Sequence, residues 1–441
     1  MQPRVTSVSA CLFVLTLTIV GGCHGADLRT PRVILIGMDG ATLKIVDPLI
    51  AAGQLPTLAR LAQEGVSGPL RSIRPLLSPR IWATIATGKT AHKHGIEGFF
   101  KATGGGKGAF YYSSDRRVHA LWNIVSNAGM TVSVVNWLNT YPPEIVNGVM
   151  VSEHTFDDEI PTKDDFFVGI ARSRGLALDL PPEGIDRSSP VYPASWLERV
   201  RAAGVVPPSP TIEEKGESPR PPLPSTIEPN VIAAFLDRDE RMTRVALEID
   251  RELSPRLTMV LLRGVDRTSH FAYGCTAPPE TYPDSFRPTA VERKNCIDLL
   301  ESFYKSVDAM IGSLIQDFGP DDLVIVASDH GFEPNFNMGL TGGHWTDAAI
   351  DGIFFARGKG IPKGKPAGDI AITYITPMVL TWLGLPLAED MDGVEPAFLQ
   401  VERAGLITTY DTVGPIERLQ ATHSGQEERL REGLKSLGYV D

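Results

Sequence analysis

Basic residues are in short supply in this sequence. Its 441 residues hold 42 Lys and Arg against 53 Asp and Glu, a formal net charge of -11. That argues against nucleic-acid binding, which depends on a basic surface that releases counterions. It also means that an anionic substrate must be drawn by a local cation, such as bound metal, and not by the field of the whole protein. Cysteine is scarce too, with four residues, of which Cys11 and Cys23 lie close to the N-terminus. Cys275 and Cys296 are left as an even pair, compatible with a disulfide or with two buried free thiols. No internal repeat is present. Past the first residues no apolar run approaches the roughly 20 residues needed to cross a bilayer. Hydrophobic residues make up 42%, enough for a sizeable core in one large α/β domain with insertions.

The N-terminus reads as an export signal over residues 1–22. Arg4 supplies a positive start, and the stretch from Ala10 to Val20 is apolar but too short to span a membrane. Val20-Gly21-Gly22-Cys23 resembles the lipobox of bacterial lipoproteins, in which the Cys becomes the lipidated first residue. The expectation is a membrane-anchored lipoprotein facing the periplasm or exterior; a plain secretory signal and a soluble product are the alternative.

Short apolar runs at Val33–Ile36, Val132–Val135, Met259–Leu262, Leu323–Val326 and Ile353–Phe355 read as buried parallel strands. Helical patterns lie between them, at residues 50–65, 231–253 and 299–319. Such alternation predicts a doubly wound α/β sheet with helices on both faces. The expected catalytic domain covers residues 30–154 and 231–400. The acidic, Pro-rich segment 155–230 cannot supply central strands and is expected to cap the sheet. A helical tail is expected over 401–441, with Ser424 and Glu427 as a capping box.

Three apolar runs lead to aspartates: Asp39, Asp266 and Asp329. In an open α/β sheet, ligands bind beyond the carboxyl ends of the strands. Three carboxylates on one rim would repel, and a bound cation removes that cost. His330 adjoins Asp329, His270 follows Asp266 by one helical turn, and His344 ends a run of glycines that suggests a close backbone approach. Asp39, Asp266, His270, Asp329, His330 and His344 thus offer three ligands to each of two divalent metals. Carboxylate with imidazole suits zinc or manganese better than calcium. Two metals about 4 Å apart can clamp both sides of a phosphoryl group. Ser78 reads as the N-cap of a helix that opens at Pro79, which would aim its hydroxyl and backbone N–H groups at one spot suited to phosphate.

The order Asp39-Gly40, SPRIWATIATG, HGI, DRTSH, SDHG and GGH resembles the alkaline phosphatase superfamily, in its branch of type I phosphodiesterases and nucleotide pyrophosphatases. It is similar above all to bacterial phosphohydrolases and phosphomutases of that group. The resemblance runs from about Arg32 to Gly393 and is less close through the insertion. It implies an alkaline-phosphatase-like fold and a small phosphate-ester substrate. It assigns Asp39, Asp329 and His330 to one metal, and Asp266, His270 and His344 to the other. It makes Ser78, ten positions before Gly88, a nucleophile that passes through a phosphoseryl intermediate. Transfer to an alcohol, as in a phosphomutase, uses the same intermediate; a non-catalytic surface lipoprotein has no need of the full residue set. Phe99 stands where the nucleotide pyrophosphatases carry a phosphate-holding Asn. Arg80 is expected as an exposed helix charge. SPRIW places Pro and Arg one position too early for the sulfatase motif.

Overall fold

A computed structural model describes residues 30–104, 107–156, 189–205, 229–336, 339–412 and 416. The signal segment with Cys23, most of the Pro-rich segment and the expected C-terminal helix lie outside these residues.

Nine strands of one sheet are seen among the described residues: β1 (Val33–Met38), β2 (Val66–Arg71), β3 (Val132–Val135), β4 (Gly148–Val151), β5 (Val191–Tyr192), β6 (Leu257–Leu262), β7 (Leu323–Ala327), β8 (Asp351–Arg357) and β9 (Lys365–Pro366). Their order is β9-β2-β8-β7-β1-β6-β3-β4-β5. Central β1 is parallel to β6 and β7, with Val33 level with both Leu257 and Leu323. The sheet is mixed: β8, expected to be parallel, runs antiparallel to both β7 and β2. Burial on both faces gives a strand the same apolar run in either direction, so direction could not be read from it.

Alternate residues of β1 point into two cores. Ile34 and Ile36 face a cluster with helices α1 (Leu43–Ala51), α2 (Pro56–Glu64), α7 (Pro229–Leu253) and α9 (Ala290–Leu314). Val33 and Leu35 face one with α3 (Ser78–Thr87), α5 (Leu121–Asn127) and α10 (Ile375–Trp382). Helices therefore cover both faces, as period-2 burial demands. The short α4 (Ala91–His94) follows α3. The pattern at residues 50–65 belongs to two helices and not one, because Gly53 turns at φ +71° and Pro56 opens α2.

Part of the segment expected as a cap instead extends the main unit. Val191–Tyr192 pairs antiparallel with β4 at the sheet edge, and α6 (Leu197–Ala203) follows it. The tail from residue 401 does not begin as a helix. Leu406–Ile407 pairs in parallel with Leu387–Ala388, and Asp411 accepts from buried Lys89 Nζ at 2.7 Å. Among the described residues no helix is long and apolar enough to cross a membrane.

Candidate active site

Three adjacent strands, β7, β1 and β6, deliver the three aspartates. Asp39 follows β1, Asp329 lies two residues past β7, and Asp266 sits in the first turn of α8 (Gly264–Ala272), just beyond β6. The ends are stitched together: Asp39 N donates to Leu262 O at 2.9 Å and Gly40 N to Asp329 Oδ1 at 3.2 Å. Gly40 has φ +70°, and a Cβ there would stand 2.8 Å from Asp266 Cα. Only glycine permits both the turn and that approach.

His270 lies one turn beyond Asp266 on α8, with Nε2 3.5 Å from Asp266 Oδ1. Sequence reasoning missed the residue that fixes this helix. Asp239, buried on α7, accepts from Arg263 N at 3.0 Å and Gly264 N at 2.9 Å. A carboxylate over a helix N-terminus satisfies donors the helix leaves open. Burial pushes the Asp239 carboxyl up to about 6, and these two bonds oppose that shift. Nothing in its helical surroundings marks Asp239 in the sequence.

His344 follows a hairpin of Glu333–Asn335 with Thr341–Gly343. A Cβ on Gly342 would lie 2.5 Å from both Ser269 O and Tyr273 Cβ, so the glycines let the chain press against α8. His344 Nε2 reaches to 3.9 Å from Asp266 Oδ1.

The six residues fall into two groups, Asp39 with Asp329 and His330, and Asp266 with His270 and His344. Within each group the ligand atoms lie within 4.8 Å of one another. The donor chemistry fits a cation. His330 Nδ1 faces Gly331 O at 3.0 Å, so Nε2 is the ring nitrogen turned to the carboxylates. It points at Asp329 Oδ2 (3.4 Å), Asp39 Oδ1 (3.8 Å) and Asp266 Oδ1 (3.8 Å). Asp266 Oδ1 and Asp329 Oδ2 are buried without a close hydrogen-bond donor. Burial, followed by the charges of Asp329 and Asp266, raises the Asp39 carboxyl well above the usual range, and burial raises Asp329 as well. Burial, then His330 and His270, holds His344 well below the usual histidine range. A divalent ion in each group would reverse this penalty.

Ser78 opens α3 as its first helical residue, with Leu77 as the N-cap, one position earlier than the sequence suggested. Its Oγ does not cap the helix. It lies 3.4 Å from both Asp39 Oδ1 and His330 Nε2, buried beside the first group. Arg80 turns aside to Glu97 Oε2 at 2.9 Å. The HGI segment is pinned to α3: His94 Nδ1 accepts from Ile96 N at 3.1 Å, and Nε2 meets Thr84 Oγ1 at 3.0 Å. Cys275 and Cys296 are joined by a disulfide that ties the chain after α8 to α9.

A mixed α/β sheet with paired acid–imidazole groups on its carboxyl rim is the arrangement of the alkaline phosphatase superfamily. The chain belongs to the family described as type I phosphodiesterase / nucleotide pyrophosphatase, whose sequence profile matches residues 33–378. This is a family of metal-dependent phosphate-ester hydrolases. No curated protein matches the chain. Solved structures similar to it include a phosphonoacetate hydrolase from Sinorhizobium meliloti 1021 in complex with phosphonoformate. It is 19% identical over 69% of this chain and 57% of that one, with a TM-score of 0.41. The chain thus spans just over half the length of that protein. Murine ectonucleotide pyrophosphatase / phosphodiesterase 5, an inactive form in complex with AMP, is 12% identical over 84% of this chain and 98% of that one, with a TM-score of 0.47. The phosphonate monoester hydrolase of Silicibacter pomeroyi is 16% identical over 84% and 77%, also at 0.47.

Proposed function

We propose that this chain is a two-metal hydrolase of phosphate esters, diesters before monoesters, with Ser78 as its nucleophile. The observation that carries the reading is the placement of Ser78 Oγ against Asp39 and His330, with the second acid–imidazole group alongside. Asp39, Asp329 and His330 would hold one zinc or manganese ion; Asp266, His270 and His344 would hold the other. When bound, the ions supply positive charge for the phosphoryl oxygens and favour ionisation of the serine hydroxyl. Ser78 Oγ attacks phosphorus, the bond to the ester oxygen breaks, and the alcohol departs with a proton. Water then releases phosphate, or the remaining monoester, from Ser78. The opening turn of α3 presents backbone N–H groups to the same anion. Asp239 holds α8, and with it Asp266 and His270, in place.

The test is turnover of aryl phosphate diesters and monoesters with zinc, with manganese and with chelator. Activity unchanged by chelation overturns the metal dependence, and no turnover of either ester after metal repletion overturns the assignment. Export with a lipid anchor at Cys23 completes the reading and rests on the sequence alone. The intact mass of membrane-extracted protein decides it: a product that begins after Cys23 without lipid contradicts it.

A further inference from the structure

Phe332 carries no donor or acceptor on its side chain and lies wholly out of solvent. Its surroundings set it apart from an ordinary core residue, because the ring lies among three imidazoles. Its centroid is 5.1 Å from that of His270, 5.5 Å from His344 and 5.8 Å from His330. His270 and His344 meet it edge to face, with 78° and 79° between the planes, an arrangement that aromatic pairs prefer. These histidines come from both acid–imidazole groups, His330 from the first and His270 with His344 from the second.

The backbone that carries the ligands presses on the same ring. A Cβ on Gly40, next to Asp39, would stand 2.6 Å from Phe332 Cε2. One on Gly342, two residues before His344, would stand 2.8 Å from Cδ1. Tyr273, three residues past His270, packs against the ring at 5.5 Å. The end of β1, helix α8 and the hairpin that leads to His344 thus converge on one side chain. Hydrogen bonds do not fix all three imidazoles. His330 Nδ1 lies 3.0 Å from Gly331 O, and His270 Nδ1 lies 3.3 Å from Gly342 O. His344 Nδ1 is buried without a close hydrogen-bond partner, so packing sets the angle of that ring. Phe332 meets it at the edge-to-face angle, and His330 stacks on it at 3.9 Å.

We propose that Phe332 is a shared positioning residue that holds the imidazoles of both groups at the angles two metal ions require. The inference rests on the reading of these groups as metal sites. Phe332 acts only through the ligands it packs against. Metal ligands bind well when their rotamers are locked by what surrounds them. One ring that locks ligands of both groups ties the two affinities together. Loss of a ligand reaches one ion, whereas loss of this ring reaches both.

The experiment measures zinc affinity and stoichiometry, by competition with a chromophoric chelator, in wild type, Phe332→Leu and Phe318→Leu. Leucine keeps the position apolar and removes the ring. Phe318 is also buried, against Arg32 just before β1 and so at the opposite end of the sheet, and controls for the general cost of the substitution. Urea titration of the metal-free proteins shows that both variants fold. Phe332→Met, which fills the space with an unbranched chain, replaces Phe332→Leu if that variant does not. Phe332→Leu should weaken both ions by about 10- to 100-fold, and Phe318→Leu should change neither by more than about twofold. Equal affinities in Phe332→Leu and Phe318→Leu overturn the inference, and so does a loss confined to one ion. A wild type that binds no zinc overturns the two-metal reading and this inference together. Two ions in wild type with an unchanged Phe332→Leu overturn the inference alone.

Discussion

Ser78 Oγ and His330 Nε2 stand 3.4 Å apart, and the other nitrogen of His330 is committed to the carbonyl of Gly331. The ring therefore turns Nε2 toward the serine and the carboxylates together. Because Ser78 is outside both acid–imidazole groups, Ser78→Ala should fold and retain metal while turnover falls by several orders of magnitude. Ser78→Thr should keep part of the activity, since the hydroxyl remains. Near-normal turnover by Ser78→Ala on a good substrate would rule out the covalent route.

His344→Ala removes one ligand from the group built on α8 and none from the group beside Ser78. Metal analysis should fall from about two ions per chain to about one. Loss of both, or of neither, would show that the two groups are not separate sites.

The Cys275–Cys296 bond closes a loop with a sequence separation of 21. Limiting the unfolded chain in this way contributes roughly 3 kcal/mol. The double substitution to Ala should lower the free energy of unfolding by about that amount in urea titration. Thiol labelling of unreduced, unfolded protein should find neither Cys275 nor Cys296 free.

His94 gives the fold a pH dependence of predictable sign. Burial, then the charges of Arg116 and Arg80, lowers its pKa to about 3 from 6.5. Between those values the unfolded chain takes up a proton that the folded chain refuses. Its contribution to stability is therefore present above about pH 6.5 and lost as pH falls toward about 3, at up to about 1.4 kcal/mol per unit. His94→Asn keeps an acceptor near the Nδ1 position and does not titrate. Urea titrations between about pH 7 and 4.5 should show a shallower decline for this variant than for wild type. Equal slopes would mean that His94 is not buried neutral.

The grouping of the candidate residues was more legible in the sequence than the topology around them. Asp39, Asp266 and Asp329 could be found because each ends or closely follows a strand whose apolar run is unmistakable, and strand ends are where such a sheet places its chemistry. The GGH glycines carried a true signal of close approach, met by Ser269 and Tyr273. Asp239 could not be found, because its partners Arg263 and Gly264 lie far along the chain and are backbone groups without a side-chain signature. The reversed β8 was hidden for the reason that burial is blind to strand direction, and β2 because Gly68 and Pro69 interrupt its apolar pattern.

Asp39 and Asp329 stand at the same height above the sheet, since Gly37 is level with Ala327 and each aspartate lies two residues further on. On the other side of β1, about one strand spacing of 4.8 Å away, β6 leads to Asp266 of the second group, and that spacing is close to the roughly 4 Å separation of paired catalytic metals. The hydrogen-bonded ladder is thus a ruler, and its graduation is a property of the peptide group that no side-chain substitution can alter. Adaptation to a different ion or a larger phosphoryl group has to work through the short links between ruler and ligand, Ser328 on one side and Arg263 to Val265 on the other. A slip of β1 by one residue, by contrast, would turn Asp39 to the opposite face, away from Ser78 and from both acid–imidazole groups at once.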